Sequence, residues 1–347
     1  MADLKSVRSD VRATICIPTV HRLGFFQEAL ESAASQTFQD YEIVISVNSP
    51  RASYFQEVAT AVEEVGREFP SRAIRIIQPT NFLNIADHLN FMVEHAGGDY
   101  WCYLADDDRM EPEFLESLVS LLKTHGDAGF AFCDFEVIDG TGAIRPDLAR
   151  KLTRSTNRDM LVDGFYPHPT LGRLALWNAI WFPCALFKRP VLESFPFDPG
   201  NQAPDRDFWL RIANAPSGFG AVYTSTPLLE YRLHGDQHSK ASAKAQLDFL
   251  GSLGRAHSIA AAEPRVFKLE VAHIQAKLGK ALLDEGDRLG AYRALLVALR
   301  NNPFDTRTYR FALQSVLPTF VLRFARRFRD WLQVRRSRFD GRQGRPS

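Results

Sequence analysis

Three consecutive carboxylates, Asp106-Asp107-Asp108, follow the apolar run Tyr103-Leu104-Ala105. A strand that delivers them to its carboxyl end sets like charges side by side, and each raises the pKa of the next unless a cation neutralises them. Hard divalent ions such as Mg2+ and Mn2+ take such oxygen ligands and keep positions open for substrate phosphates. Asp is also common in solvated turns and at helix N-termini, so the triplet alone leaves both readings open.

The elements that must position the triplet alternate between strand and helix patterns. Residues 13–18 form a buried-strand run closed by Pro18, and residues 23–37 carry apolar side chains at helical spacing. A second strand over 42–47 leads into the turn Asn48-Ser49-Pro50, followed by a helix over 53–69 and a third strand over 73–78. A helix over 85–95 precedes the fourth strand, 101–104, which runs into the triplet. Such alternation predicts right-handed βαβ units and a Rossmann-like, mostly parallel sheet flanked by helices. Ligands of these sheets bind beyond the carboxyl ends of the strands, so Asn48 and Asp106–Asp108 are expected to face one crevice.

The pattern continues with a helix over 113–125 and a strand over 130–138. Residues 140–175 read as irregular and rich in Arg, Pro and Thr, a length that points to binding or mobility. An apolar run through Phe187, a helix over 205–214 and a strand over 221–229 follow, ahead of Tyr231-Arg232-Leu233-His234. From about Lys240 the pattern is helical only. Leu278-Gly279, Ala291, Ala294, Ala298 and Asn302-Pro303 resemble one tetratricopeptide helix pair. One such unit cannot build a solenoid, so it reads as a helical appendage.

Charge is unevenly spread over the 347 residues. Residues 319–347 hold nine arginines and two aspartates, a net +7, which leaves −6 for the rest of a chain whose total is +1. Phe320, Phe324, Phe328 and Trp331 recur there at steps of three and four, the pattern of a basic amphipathic helix suited to an anionic membrane surface. Packing of those aromatics on the body is the other reading. An acidic body without a known reader motif argues against nucleic acid. Cys16, Cys102, Cys133 and Cys184 are widely spaced in apolar contexts, which predicts buried free thiols in a reducing compartment. The N-terminus lacks a signal-peptide core, and the longest low-charge run, the 14 residues 174–187, is too short to span a bilayer. The expected location is therefore cytoplasmic, with peripheral contact at the inner membrane face.

Five segments, in order, resemble the family 2 glycosyltransferases, which have the GT-A fold and use nucleotide-diphosphate sugars. They are Thr14-Ile15-Cys16-Ile17-Pro18-Thr19; Ser35-Gln36-Thr37-Phe38 with Tyr41-Glu42-Ile43-Val44; Gly98-Asp99-Tyr100 through Asp106-Asp107-Asp108 to Pro112; Asp205-Arg206-Asp207-Phe208-Trp209-Leu210-Arg211; and Tyr231-Arg232-Leu233-His234 with Ser239. The resemblance covers roughly residues 12–240. It implies a GT-A catalytic domain over 1–240, a helical extension over 241–317 and a basic tail over 318–347.

The same resemblance implies site roles. A divalent cation (Mn2+ or Mg2+) held by Asp106 and Asp108, with His234 as third ligand or phosphate contact, would stabilise the departing diphosphate. The three-Asp run leaves the register open, so Asp107 is an alternative ligand. Pro18, Thr19, Asn48, Asn84, Asp106, Asp107 and Arg232 are the expected donor contacts, although Arg232 could equally pair with a carboxylate. Asp205 is the expected general base for the acceptor hydroxyl, opposite the leaving group, and Asp207 is expected to cap its helix or orient Arg211.

The chain departs from the family pattern at three places. Val47-Asn48 stands where an Asp reads the base and Pro204 where a Glu precedes the catalytic Asp. Asn84 replaces a Gly, a change Asn tolerates because it accepts left-handed geometry. The expected activity is inverting, metal-dependent transfer from a nucleotide-diphosphate sugar to a saccharide or lipid-linked hydroxyl, in cell-surface polysaccharide synthesis. The alternative is an inactive sugar-nucleotide-binding scaffold or sensor of the same fold. A nucleotidyltransferase would need a glycine- and lysine-rich phosphate loop near the first strand, and residues 17–26 do not supply one.

Overall fold

β1 (Ala13–Thr19) and β2 (Tyr41–Val47) are apolar, β-branched runs that are buried almost throughout, as a strand covered on both faces requires. The computed structural model describes residues 12–235 and 242–316. In chain order, β1 is followed by α1 (Leu23–Ala34), β2, α2 (Ala52–Glu68), β3 (Ala73–Ile77), α3 (Ile85–His95), β4 (Tyr100–Tyr103) and β5 (Arg109–Met110). Then come α4 (Phe114–Thr124), β6 (Ala128–Asp139), α5 (Pro146–Ser155), β7 (Gly164–Tyr166), α6 (Leu171–Trp177), β8 (Ala185–Lys188), α7 (Arg189–Ser194), α8 (Pro204–Asn214) and β9 (Gly220–Leu233). The remaining helices are α9 (Ala243–Arg255), α10 (His257–Ala262), α11 (Pro264–Glu285), α12 (Arg288–Asn301) and α13 (Thr306–Val316).

The nine strands among the described residues form one sheet in the order β3-β2-β1-β4-β8-β6-β9-β5, with β7 paired to β9. β3, β2, β1 and β4 are mutually parallel, and β6 and β9 run the same way, so the sheet is mostly parallel. The antiparallel strand β8 separates the two parallel groups. Gly98, just before β4, is fixed by a close approach, because a Cβ there would lie 2.6 Å from the Ala13 carbonyl carbon.

Residues 140–175 are not irregular. They hold α5, β7 and the start of α6, and α5 lays Leu148, Ala149 and Leu152 against the core without burying any side chain fully. A helix so weakly buried leaves little apolar signal. The last strand also continues past residue 229, to Leu233.

An aromatic cluster seats α8 on the sheet. Phe187 of β8 stacks on Trp209 with ring centroids 5.6 Å apart, and Phe208 packs on Phe197 at 5.0 Å. All four cysteines are free and buried. The described chain divides into two compact units. One comprises the residues through β9 with Asp248–Phe267, and the other Ala241–Leu247 with the chain from Lys268 onward. In the second, α11 and α12 approach so closely that a Cβ on Gly279 would meet the Leu295 side chain at 2.5 Å.

Candidate active site

The triplet occupies the turn between β4 and β5, where the Asp108 N–H donates to Ala105 O at 3.2 Å. β5 then pairs with β9, Arg109 opposite Glu230 and Met110 opposite Leu229, which fixes the triplet against the end of β9. Each carboxylate has its own partner. Asp106 faces β1: Thr19 Oγ1 donates to Asp106 Oδ2 at 2.9 Å and lies 2.6 Å from Tyr54 Oη. Asp107 Oδ2 accepts from Arg22 Nη1 at 2.5 Å and lies 3.0 Å from His234 Nε2. Arg22 Nη2 also bonds Asp106 Oδ1. Asp108 Oδ1 instead accepts from the Arg232 backbone N–H at 2.9 Å. The structure thus sets Asp107, and not Asp108, beside His234.

Arg232 is 1% exposed and its guanidinium is tied into the protein. Nε donates to Asp107 O at 2.7 Å, Nη2 to Glu28 Oε2 at 2.6 Å and Nη1 to Asp139 O at 3.4 Å, with the Phe25 ring 4.7 Å away. Glu28 also receives Arg109 Nη1 at 3.3 Å, while Arg109 Nε reaches Glu230 at 2.5 Å. Of the two readings the sequence left open for Arg232, the carboxylate partner is the one observed.

The linked cluster holds five carboxylates (Glu28, Asp106, Asp107, Asp108, Glu230) against three guanidiniums (Arg22, Arg109, Arg232). Counted formally, the carboxylates outnumber the guanidiniums by two. Burial, then the neighbouring Asp107 charge, pushes the Asp108 carboxyl well up, and burial also raises Asp106 despite Arg22 beside it. Oxygen and imidazole donors with this charge deficit suit a divalent cation. Among the described residues no three such side chains are already gathered as a metal cage, and Arg22 bonds Asp106, Asp107 and His234 alike.

The other expected contacts fall nearby or apart. Pro18 sits opposite Ser46 in the β1–β2 ladder, and the Asn48 N–H donates to Thr19 O at 3.0 Å, placing Asn48 beside the β1 end. Its side chain is engaged with Leu83, donating to the carbonyl at 2.9 Å and accepting from the N–H at 3.0 Å. Asn84 is not left-handed. It is the extended N-cap of α3 (φ −69°), and its Oδ1 accepts from the Asp87 N–H at 3.1 Å. That cap is a positive reason for Asn over Gly.

Asp205 lies in the first turn of α8, half-buried, with no hydrogen-bond or ion-pair partner among the described residues; the N-cap is Ala203. Asp207 is fully buried and accepts from Arg211 Nε at 2.6 Å, Ser252 Oγ at 2.5 Å and Arg255 Nη2 at 3.1 Å. It therefore orients Arg211 and does not cap.

Arg22, Glu28 and Tyr54 escaped the sequence reading. Arg22 had one available signal, a basic residue three positions past the end of β1, on the rim where the ligand crevice opens.

The sequence model of the family described as Glycosyl transferase family 2 matches residues 14–194 of this chain. The chain belongs to glycosyltransferase family 2. Its relatives include an uncharacterized glycosyltransferase of Rickettsia felis, 25% identical over 65% of this chain and 35% of that protein. Another is an uncharacterized glycosyltransferase of Methanocaldococcus jannaschii, 25% identical over 64% of this chain and 70% of that protein. The chain spans about a third of the length of the Rickettsia felis and Rickettsia bellii relatives.

Among solved structures, the chain is similar to S. aureus TarS 1-349 in complex with UDP-GlcNAc (TM-score 0.55, 15% identity, 84% of this chain and 81% of that one). It is also similar to the mannosyltransferase PcManGT from Pyrobaculum calidifontis in complex with GDP-Man and Mn2+ (TM-score 0.53, 17% identity, 85% and 88%). The fold of this chain is of GT-A type, and among the described residues no helix is long and apolar enough to cross a membrane.

Proposed function

We propose that this glycosyltransferase moves a sugar, with inversion, from a nucleotide-diphosphate donor to a hydroxyl of a saccharide or lipid-linked acceptor in cell-surface polysaccharide synthesis. The observation that carries the donor half is the partly buried cluster at the strand ends, in which five carboxylates face three guanidiniums. Asp106, Asp107 and His234 would hold a divalent cation, Mn2+ or Mg2+, which supplies Lewis-acid stabilisation of the leaving diphosphate when bound. The similar mannosyltransferase structure, a complex with GDP-Man and Mn2+, supports this choice. Asp108 is the buried brace that fixes the triplet to Arg232. Asp205, at the α8 N-terminus and without a partner among the described residues, takes the acceptor proton. Pro18, Thr19 and Asn48 shape the wall of the donor crevice from the β1 and β2 ends, and Asn84 from the start of α3.

The basic aromatic segment 319–347 lies outside the described residues. Its net +7 supports contact with anionic lipid at the cytoplasmic membrane face, where an acceptor on a lipid carrier would be met.

The test is calorimetric titration of UDP, GDP and dTDP with Mn2+, Mg2+ or EDTA, on the wild type and on Asp106→Ala/Asp107→Ala. Binding of one nucleotide that requires both the ion and the carboxylates is expected. Binding indifferent to both would remove the metal reading, and an absence of binding under every condition would favour the inactive scaffold.

A further inference from the structure

Arg22 differs from the other two guanidiniums of the cluster. Arg232 and Arg109 are anchored by glutamates, and Arg232 by backbone carbonyls as well. Among the described residues the Arg22 side chain bonds only Asp106, Asp107 and His234, which are the groups assigned above to the cation. It springs from the loop between β1 and α1, and its side chain is 16% exposed. The oxygen best placed for an ion, Asp107 Oδ2, already faces two nitrogens: Arg22 Nη1 at 2.5 Å and His234 Nε2 at 3.0 Å. A guanidinium and a divalent cation cannot share those oxygens without strong repulsion at close range. A displaced guanidinium needs a new anion, and a diphosphate offers the planar fork matched oxygen pairs.

We propose that Arg22 is an exchangeable counter-cation of the donor site, neutralising Asp106 and Asp107 in the donor-free protein and turning onto the donor diphosphate when a divalent cation holds those carboxylates. This rests on the donor-site reading above. It makes the free protein a weak binder of divalent ions and makes cation and nucleotide binding mutually reinforcing, since each relieves a conflict that the other meets.

The experiment is Mn2+ binding, followed by the electron paramagnetic resonance signal of the free ion, with and without UDP or GDP. It compares the wild type with Arg22→Gln and Arg22→Lys. Without nucleotide, Arg22→Gln is expected to bind Mn2+ at least about tenfold more tightly than the wild type, and to lose most of the further gain that nucleotide confers. Arg22→Lys keeps the charge and stays close to the wild type. Should the Gln variant fail to fold, by circular dichroism, Arg22→Met carries the same expectation. Mn2+ uptake with nucleotide that is indifferent to residue 22, or a Lys variant as tight as the Gln variant, overturns the proposal and leaves the metal site standing. No Mn2+ uptake by the wild type even with nucleotide overturns both.

Discussion

Replacing Arg232 by Met keeps much of the buried volume while removing the guanidinium, and so separates a brace from a phosphate ligand. Inside the protein the Asp107 carbonyl loses a 2.7 Å donor and the Asp139 carbonyl a long one at 3.4 Å. A buried acceptor left without its partner costs about 1–3 kcal/mol, and the weak bond counts for the low end. The Glu28 side chain is 40% exposed, so its carboxylate rehydrates and the lost ion pair is discounted to within about 1 kcal/mol. The sum is about 3 kcal/mol, which in a unit of this size lowers Tm by about 6–12 °C. Thermal unfolding followed by circular dichroism reads that shift. Calorimetric titration of the favoured nucleotide well below the new Tm is expected to show less than about a tenfold loss, or about 1.4 kcal/mol. An unchanged Tm together with abolished nucleotide binding would refute the reasoning, because Arg232 would then be a phosphate ligand that the protein does not need for its fold.

Asp205→Asn removes the proposed base, so kcat should fall about 10²–10⁴-fold while nucleotide affinity stays near the wild type; turnover that survives undiminished excludes that role. Asp207→Ala strips a buried carboxylate from Arg211, Ser252 and Arg255; the two arginines reach solvent, so a loss of about 1–3 kcal/mol is expected in urea unfolding. His88, buried on α3 with Nε2 2.7 Å from Ser46 Oγ, is pushed down by burial to about 4. The unfolded chain protonates this group near 6.5 and the folded one does not, so its contribution is intact above pH 6.5 and is lost as pH falls toward 4. The loss amounts to about 3 kcal/mol. Urea midpoints across that range should fall more steeply for the wild type than for His88→Gln, and parallel curves would exclude the effect. Deleting residues 319–347 should abolish sedimentation with anionic liposomes while leaving neutral ones unaffected; unchanged sedimentation removes the membrane assignment.

By itself the sequence determined the parallel half of the sheet, the acidic turn and the family. β1 and β2 are continuous buried runs and α3 carries apolar residues at helical spacing, and these are local signals that a single strand or helix carries in its own residues. The motifs around Asp106, Asp205 and His234 were legible for the same reason, since side-chain type and spacing lie along the chain. Tertiary structure decided the direction of β8, because hydrophobic period is the same for parallel and antiparallel strands. It decided the existence of α5, whose apolar side chains lie at the margin of the core. It also decided which carboxylate faces His234: three adjacent aspartates look alike in sequence, and only the β5–β9 ladder turns Asp108 to the Arg232 N–H and leaves Asp107 for the imidazole. Arg22 is the same lesson at longer range. Its carboxylate partners lie 84 and 85 residues away in the chain, so its position just past β1 puts it on the rim, and the pairing of β1 with β4 supplies its partners.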